Sequence, residues 1–189
     1  YLDEVACKIS KGNKIRVSIS NNYWPYVWPS PELSELNLLY GKVTFPKFKS
    51  TSKDEYNFKE RENLEGWKFK QHRKSTYDRI VTKDLKSNLI KLKIVTDNGK
   101  TEDLNHGLIT DSKVEENWSI HPKQPLAAKA TIDWVQIMQR KNWKVKILSG
   151  STMFSDQKYF YFEGYVRAEE KNQIIYKRSF KEKVKRKYV

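Results

Sequence analysis

Three histidines, one cysteine and a run of tyrosines are the side chains through which this 189-residue chain could do base, metal, thiol or stacking chemistry. His72, His106 and His121 are far apart, and none forms a ligand-spaced pair with another. His121 precedes Pro122 at a predicted strand end, His106 precedes Gly107 in a turn, and His72 falls in an irregular stretch, so each reads as a surface or hydrogen-bonding histidine. There is no Gly-x-Ser-x-Gly elbow, phosphate-binding glycine loop, His-Glu-x-x-His or paired-Cys spacing. A Ser-His-Asp triad is recognised by geometry, which leaves that arrangement open at this level, but no catalytic, cofactor-binding or metal-ligating residue is assigned. Cys7, within Val5-Ala6-Cys7-Lys8-Ile9, reads as a small buried strand residue; a lone cysteine gives no disulfide framework and fits a reducing, cytoplasmic setting best.

Aromatic side chains are the other candidates. Tyr159, Phe160, Tyr161, Phe162 and Tyr165 lie beside basic residues and could stack on bases or sugars, although alternation on a strand favours core and cross-strand packing. More distinctive is Tyr23-Trp24-Pro25-Tyr26-Val27-Trp28-Pro29-Ser30-Pro31-Glu32. Three prolines exclude a helix there, because proline lacks the N–H and pushes the preceding residue to extended geometry. Tyr23, Trp24, Pro25, Trp28, Pro29 and Pro31 are therefore read as a rigid aromatic corner following the strand-like alternation of Ile15, Val17 and Ile19.

The elements that must position these residues are strands. Leu2 to Ser20 reads as two strands hinged at Lys11-Gly12-Asn13, and Leu36 to Phe45 as another. Residues 47–74 lose the pattern and are expected to form a long irregular loop. Ser75 to Lys83 and Asn88 to Thr96 read as a pair, Asp97-Asn98-Gly99-Lys100 as a turn, and Val114 to His121 as a strand. Four long runs follow, 127–139, 143–154, 158–168 and 173–184, with linkers of hairpin length. The alanines at 127, 128 and 130 make a helix the competing reading of 126–139, but Ala128, Ala130, Ile132, Trp134 and Met138 share one strand face. Residues 1–189 are thus expected to form one all-β domain, an antiparallel sandwich.

Composition narrows the partners. The net charge is +14, and residues 140–189 hold 14 Lys and Arg against 5 Asp and Glu. Such asymmetry raises nucleic acid as a partner, yet Trp143-Lys144-Val145-Lys146-Ile147 alternates as the wet face of a half-buried strand does, which sets that reading below the others. No apolar run approaches the roughly 20 residues that span a bilayer. The chain starts at Tyr1 with neither Met nor a signal-like segment, and reads as a piece of a longer polypeptide.

Lys11 to Ser20, followed by Tyr23-Trp24-Pro25 and Trp28-Pro29-Ser30-Pro31-Glu32, resembles the C-terminal domain of the X-Pro dipeptidyl-peptidase and cocaine esterase family of serine hydrolases. Ser119 to Ala128, containing Pro125-Leu126, is similar to that domain's Asp-Pro-Leu-Ser-Ala segment; Trp134, Trp143, Ser155-Asp156 and Phe160 to Phe162 fall where it carries Trp, Trp, Ser-Asp and Phe. Three places depart from the family: Gly12-Asn13-Lys14 replaces Gly-His-Arg, Lys185-Arg186-Lys187 replaces Pro-Arg-Asp, and Gln124 stands where an acid is usual. The resemblance implies a jelly-roll-like, galactose-binding-like sandwich lacking its first strands, with an incomplete sheet or exposed edge. It further implies an upstream α/β-hydrolase domain as partner, which holds the whole triad, and allows a homo-oligomer. A non-catalytic supporting domain is the function expected, with a carbohydrate-binding module as the alternative.

Overall fold

The computed structural model describes residues 6–62 and 65–187. Among the described residues, eight antiparallel strands form one sheet: β1 (Phe69–Arg73), β2 (Thr76–Lys83), β3 (Ile90–Asp103), β4 (Leu108–His121), β5 (Gln124–Arg140), β6 (Trp143–Ser155), β7 (Tyr159–Glu170) and β8 (Gln173–Lys185). The all-β, antiparallel class is the one expected. Strand order is simpler than a jelly roll's: from β3 to β8 each strand lies beside its neighbour in sequence, because every linker is short enough for a hairpin. The residue after Arg140 and the pair Lys171-Asn172 have positive φ (52°, 50° and 65°), as tight hairpin turns require. No helix among the described residues is long and apolar enough to cross a membrane.

β5 settles the competition between helix and strand. It pairs along its length with β4 and β6, placing Ala128, Ala130, Ile132, Trp134 and Met138 on one face as the alternation required. The two faces of the sheet differ in kind. Leu92, Trp118, Ala130, Met153 and Phe162 stand opposite one another across β3 to β7, while the next row on the other face reads Lys93, Asn117, Thr131, Thr152, Glu163 and Lys181. This is the period-2 signature of a sheet that is apolar on one side and wet on the other. On the polar side, a Cβ at Gly150 would collide with the Tyr165 ring and with Asp133, so glycine is what lets that ring lie across the strand.

Four expectations change. Asp97-Asn98-Gly99-Lys100 is a β-bulge rather than a turn: β3 continues through it, with a register shift against β4 and Gly99 at φ 74°. The edge beside β3 breaks at the same place, so that β2 covers Ile90–Asp97 and β1 covers Lys100–Asp103. Arg73 clamps the break, its guanidinium 2.6 Å from both Asp97 and Asp111. Within the expected loop of 47–74, Phe69–Arg73 is therefore a strand, and Ser52–Asp54 makes one 3-10 turn. The strands expected at 6–20 and 36–45 are extended but belong to no sheet, although the hinge is present, with the Asn13 amide donating to the Ser10 carbonyl at 3.1 Å and Gly12 at φ 93°. Alternation specifies a strand only where a neighbour completes the ladder. Residues 1–5 of the first expected strand lie outside the described residues, and Cys7, expected to be buried, is exposed because no strand covers it.

The surface area reports the consequence. The chain exposes 16997 Å². A compact monomer of 22.5 kDa exposes about 9,500 Å². Much of the apolar face is bare, and both lateral edges of the sheet, β1/β2 and β8, are unpaired among the described residues.

Candidate functional site

One end of the apolar face is covered, and the aromatic corner covers it. Its backbone is shaped locally: Asn22 accepts the Trp24 amide on its side chain at 3.1 Å, the Val27 amide donates to the Tyr23 carbonyl at 2.9 Å, and the Trp24–Pro25 peptide is cis. The rings then meet the sheet. Trp24 packs edge-on against Trp28 (centroids 5.0 Å apart) and Trp118 of β4 (5.7 Å), and Trp28 packs edge-on against Phe160 of β7 (6.2 Å). Ala128 and Ala130 of β5, 1% and 4% exposed, are the most buried apolar residues; short side chains there leave depth for indoles.

Polar bonds lock this cluster. Ser155 Oγ, at the end of β6, accepts from Trp28 Nε1 and from Arg186 Nη1, both at 3.0 Å. Arg186 is buried, donates also to the carbonyls of Pro29 (2.7 Å) and Asp156 (2.9 Å), and lies 4.7 Å over the Phe160 ring. Burial pulls its guanidinium below the usual arginine range, opposed by the Asp156 charge. Asp156 opens the turn into β7: Tyr161 Oη and the amides of Lys158 and Tyr159 all donate to its carboxylate at 2.7 Å. Those bonds, that from Tyr161 first, hold its carboxyl below the ordinary range.

The six corner residues named from sequence therefore fall in or beside one cluster. Pro29 is buried, Trp24, Pro25, Trp28 and Pro31 are half-buried, and Tyr23 stays outside, stacked on Tyr26. Sequence reading missed Arg186, because the Lys185-Arg186-Lys187 run looks like solvated charge and only a contact with Pro29, 157 residues away, shows otherwise.

The candidate chemical groups stay apart from one another. His72 Nε2 lies 2.7 Å from Glu102, His106 Nε2 lies 3.1 Å from Asp103, and His121 Nδ1 accepts the Lys123 amide at 3.1 Å. These are local pairs and supply none of the hydroxyl–imidazole–carboxylate order that nucleophilic catalysis needs. No group of three or more His, Cys, Asp or Glu among the described residues could hold a metal. A cleft of about 350 Å³ lies between the corner and the ends of β3 and β4, lined by Asn21, Glu32, Leu33, Ile120, His121 and Pro125 among others. The aromatic run is divided by the pleat. Phe160 and Phe162 point to the apolar face; on the polar face Phe154 and Tyr161 stack at 5.0 Å, with Lys183 Nζ 3.8 Å above the Tyr159 ring.

Comparison with protein-family models, with curated proteins and with solved structures finds no match to this chain.

Proposed function

We propose that this chain is the non-catalytic C-terminal β-sandwich domain of a serine hydrolase similar to X-Pro dipeptidyl-peptidases and acyl esterases, and that it supports an upstream α/β-hydrolase domain. One observation carries the reading. The segments on which the resemblance rests lie far apart along the chain, with Trp28 and Ser155 127 residues from each other, yet Trp24, Trp28, Pro29, Trp118, Ser155 and Phe160 pack at a single place, in or next to those segments. Residues gathered into a half-buried, hydrogen-bonded cluster act as architecture. The same packing separates this reading from a carbohydrate-binding module, since Trp24 and Trp28 already use their rings internally and offer little free face for a sugar.

Assay of the purified chain on p-nitrophenyl esters and X-Pro amides should give no turnover. Turnover abolished by Ser30→Ala or Ser155→Ala would overturn the proposal. The sequence encoded upstream of Tyr1 is an independent check, and a Gly-x-Ser-x-Gly elbow between a strand and a helix is the expected finding.

A further inference from the structure

The corner has no ring face to spare, but the polar face of the sheet has one. Of the aromatic run on that face, Tyr161 is stacked on Phe154 and the Tyr159 ring lies beneath Lys183, whereas Tyr165 has neither a ring nor a cation against it among the described residues. Tyr165 lies across Gly150, where a Cβ would collide with it, and is 42% exposed, so the outer side of its ring is open to water. Polar groups surround it. Its own row across β5 to β8 reads Asp133, Gly150, Tyr165 and Ser179, and the next row on that face reads Thr131, Thr152, Glu163 and Lys181. Together they line an open groove of about 420 Å³, within the roughly 300–1,000 Å³ of small-ligand sites. Asp133 is the unused acid of this groove: the Tyr165 hydroxyl reaches it only at 3.5 Å and it has no ion pair among the described residues, while Glu163 holds Lys181 at 2.8 Å.

We infer that this groove binds a neutral sugar, a hexopyranose unit of a glycan laid on the Tyr165 ring. An aromatic ring lying along a sheet presents its electron-rich face, on which the C–H side of a pyranose packs. The sugar's hydroxyls then find partners on both rows, because the carboxylates of Asp133 and Glu163 accept, the Lys181 ammonium donates, and the hydroxyls of Thr152 and Ser179 do either. The rows lie about 7 Å apart, two residues along a strand, so that one sugar ring with its hydroxyls bridges them. Charge decides between a sugar and a nucleotide, which would use the same ring. Glu115 stands directly opposite Asp133 on β4, and the two nearby lysines, Lys93 and Lys181, are each already paired with a glutamate, so a phosphate would meet the surplus negative charge of Asp133. A neutral polyol meets no such repulsion. The groove is separate from the corner, and the inference does not rest on the hydrolase reading.

The test screens the whole chain on an array of neutral glucose, galactose and mannose oligosaccharides, then titrates the best binder by calorimetry at low and high salt. At least one should bind, with an affinity that salt leaves unchanged, since the ligand carries no charge. Tyr165→Ala should weaken that binding about 30-fold, the loss expected when one stacking ring is removed, while Tyr165→Phe, which keeps the ring, should stay within about threefold of the parent chain. Asp133 is exposed, so Asp133→Asn should leave the urea midpoint unchanged and weaken binding about tenfold through loss of a charged acceptor. Silence of the whole array at millimolar oligosaccharide would overturn the inference. So would sugar binding that Tyr165→Ala and Asp133→Asn both leave intact, or a groove that instead takes oligothymidylate through Tyr165 with an affinity falling steeply with salt.

Discussion

Trp28 and Trp134 are the same residue type, and both belong to the apolar side of one sheet, yet their surroundings differ. Trp28 touches Trp24 and Phe160 and gives its N–H to Ser155, whereas Trp134 stands in the middle of β5 with 48% of its surface exposed. The difference comes from what lies above the sheet. Strand pairing fixes which residues face one way, but only a second layer takes them out of water.

The comparison breaks most readily at Trp28. Trp28→Ala should cost about 3 kcal/mol of stability, read as a lower urea midpoint, because it empties a packed site and leaves Ser155 without its indole donor. Arg186→Ala should cost about 2 kcal/mol, since the Pro29 carbonyl and Ser155 then lose a partner in a dry place. Arg186→Lys should recover only part of that, as an ammonium cannot reproduce the planar fork. Trp134→Ala should cost about 1 kcal/mol, and a cost equal to that of Trp28→Ala would show that the two ends of the face are alike.

The smallest effect concerns acid. The Asp156 carboxyl is held below its unfolded value by Tyr161 and two amides, so its contribution is complete above about pH 4 and is lost as pH falls through the folded pKa. Urea midpoints measured from pH 7 to pH 3 should therefore fall less steeply in Asp156→Asn than in the parent chain.

Much of the sheet was legible because its signals are local. The rows of β5 to β8 alternate, and short linkers between them leave hairpins as the only connection. The Asp97–Lys100 bulge was not, since a turn and a bulge use the same residues: Asp97 accepts the Gly99 amide at 2.8 Å in either case, and only pairing beyond it, with β1 on one side and β4 on the other, shows that the strand continues. Ile15, Val17 and Ile19 alternate as well as any strand here, but pairing partners lie outside a strand's own sequence. The corner's stiffness was readable from its prolines. Its seat was not, because the seat is built from Trp118, Ser155, Phe160 and Arg186, each ordinary in its own neighbourhood.

The bond from Arg186 to the Pro29 carbonyl has a consequence for how the molecule is made. During synthesis the corner emerges early, but its last fastener is translated 157 residues later, after every strand of the sheet. Closing so long a loop is entropically costly and waits for the intervening hairpins to shorten it. A nascent chain interrupted anywhere before Arg186 therefore lacks the bonds from that guanidinium to the Pro29 carbonyl and to Ser155, so that the latch reports whether translation has run through the final strand.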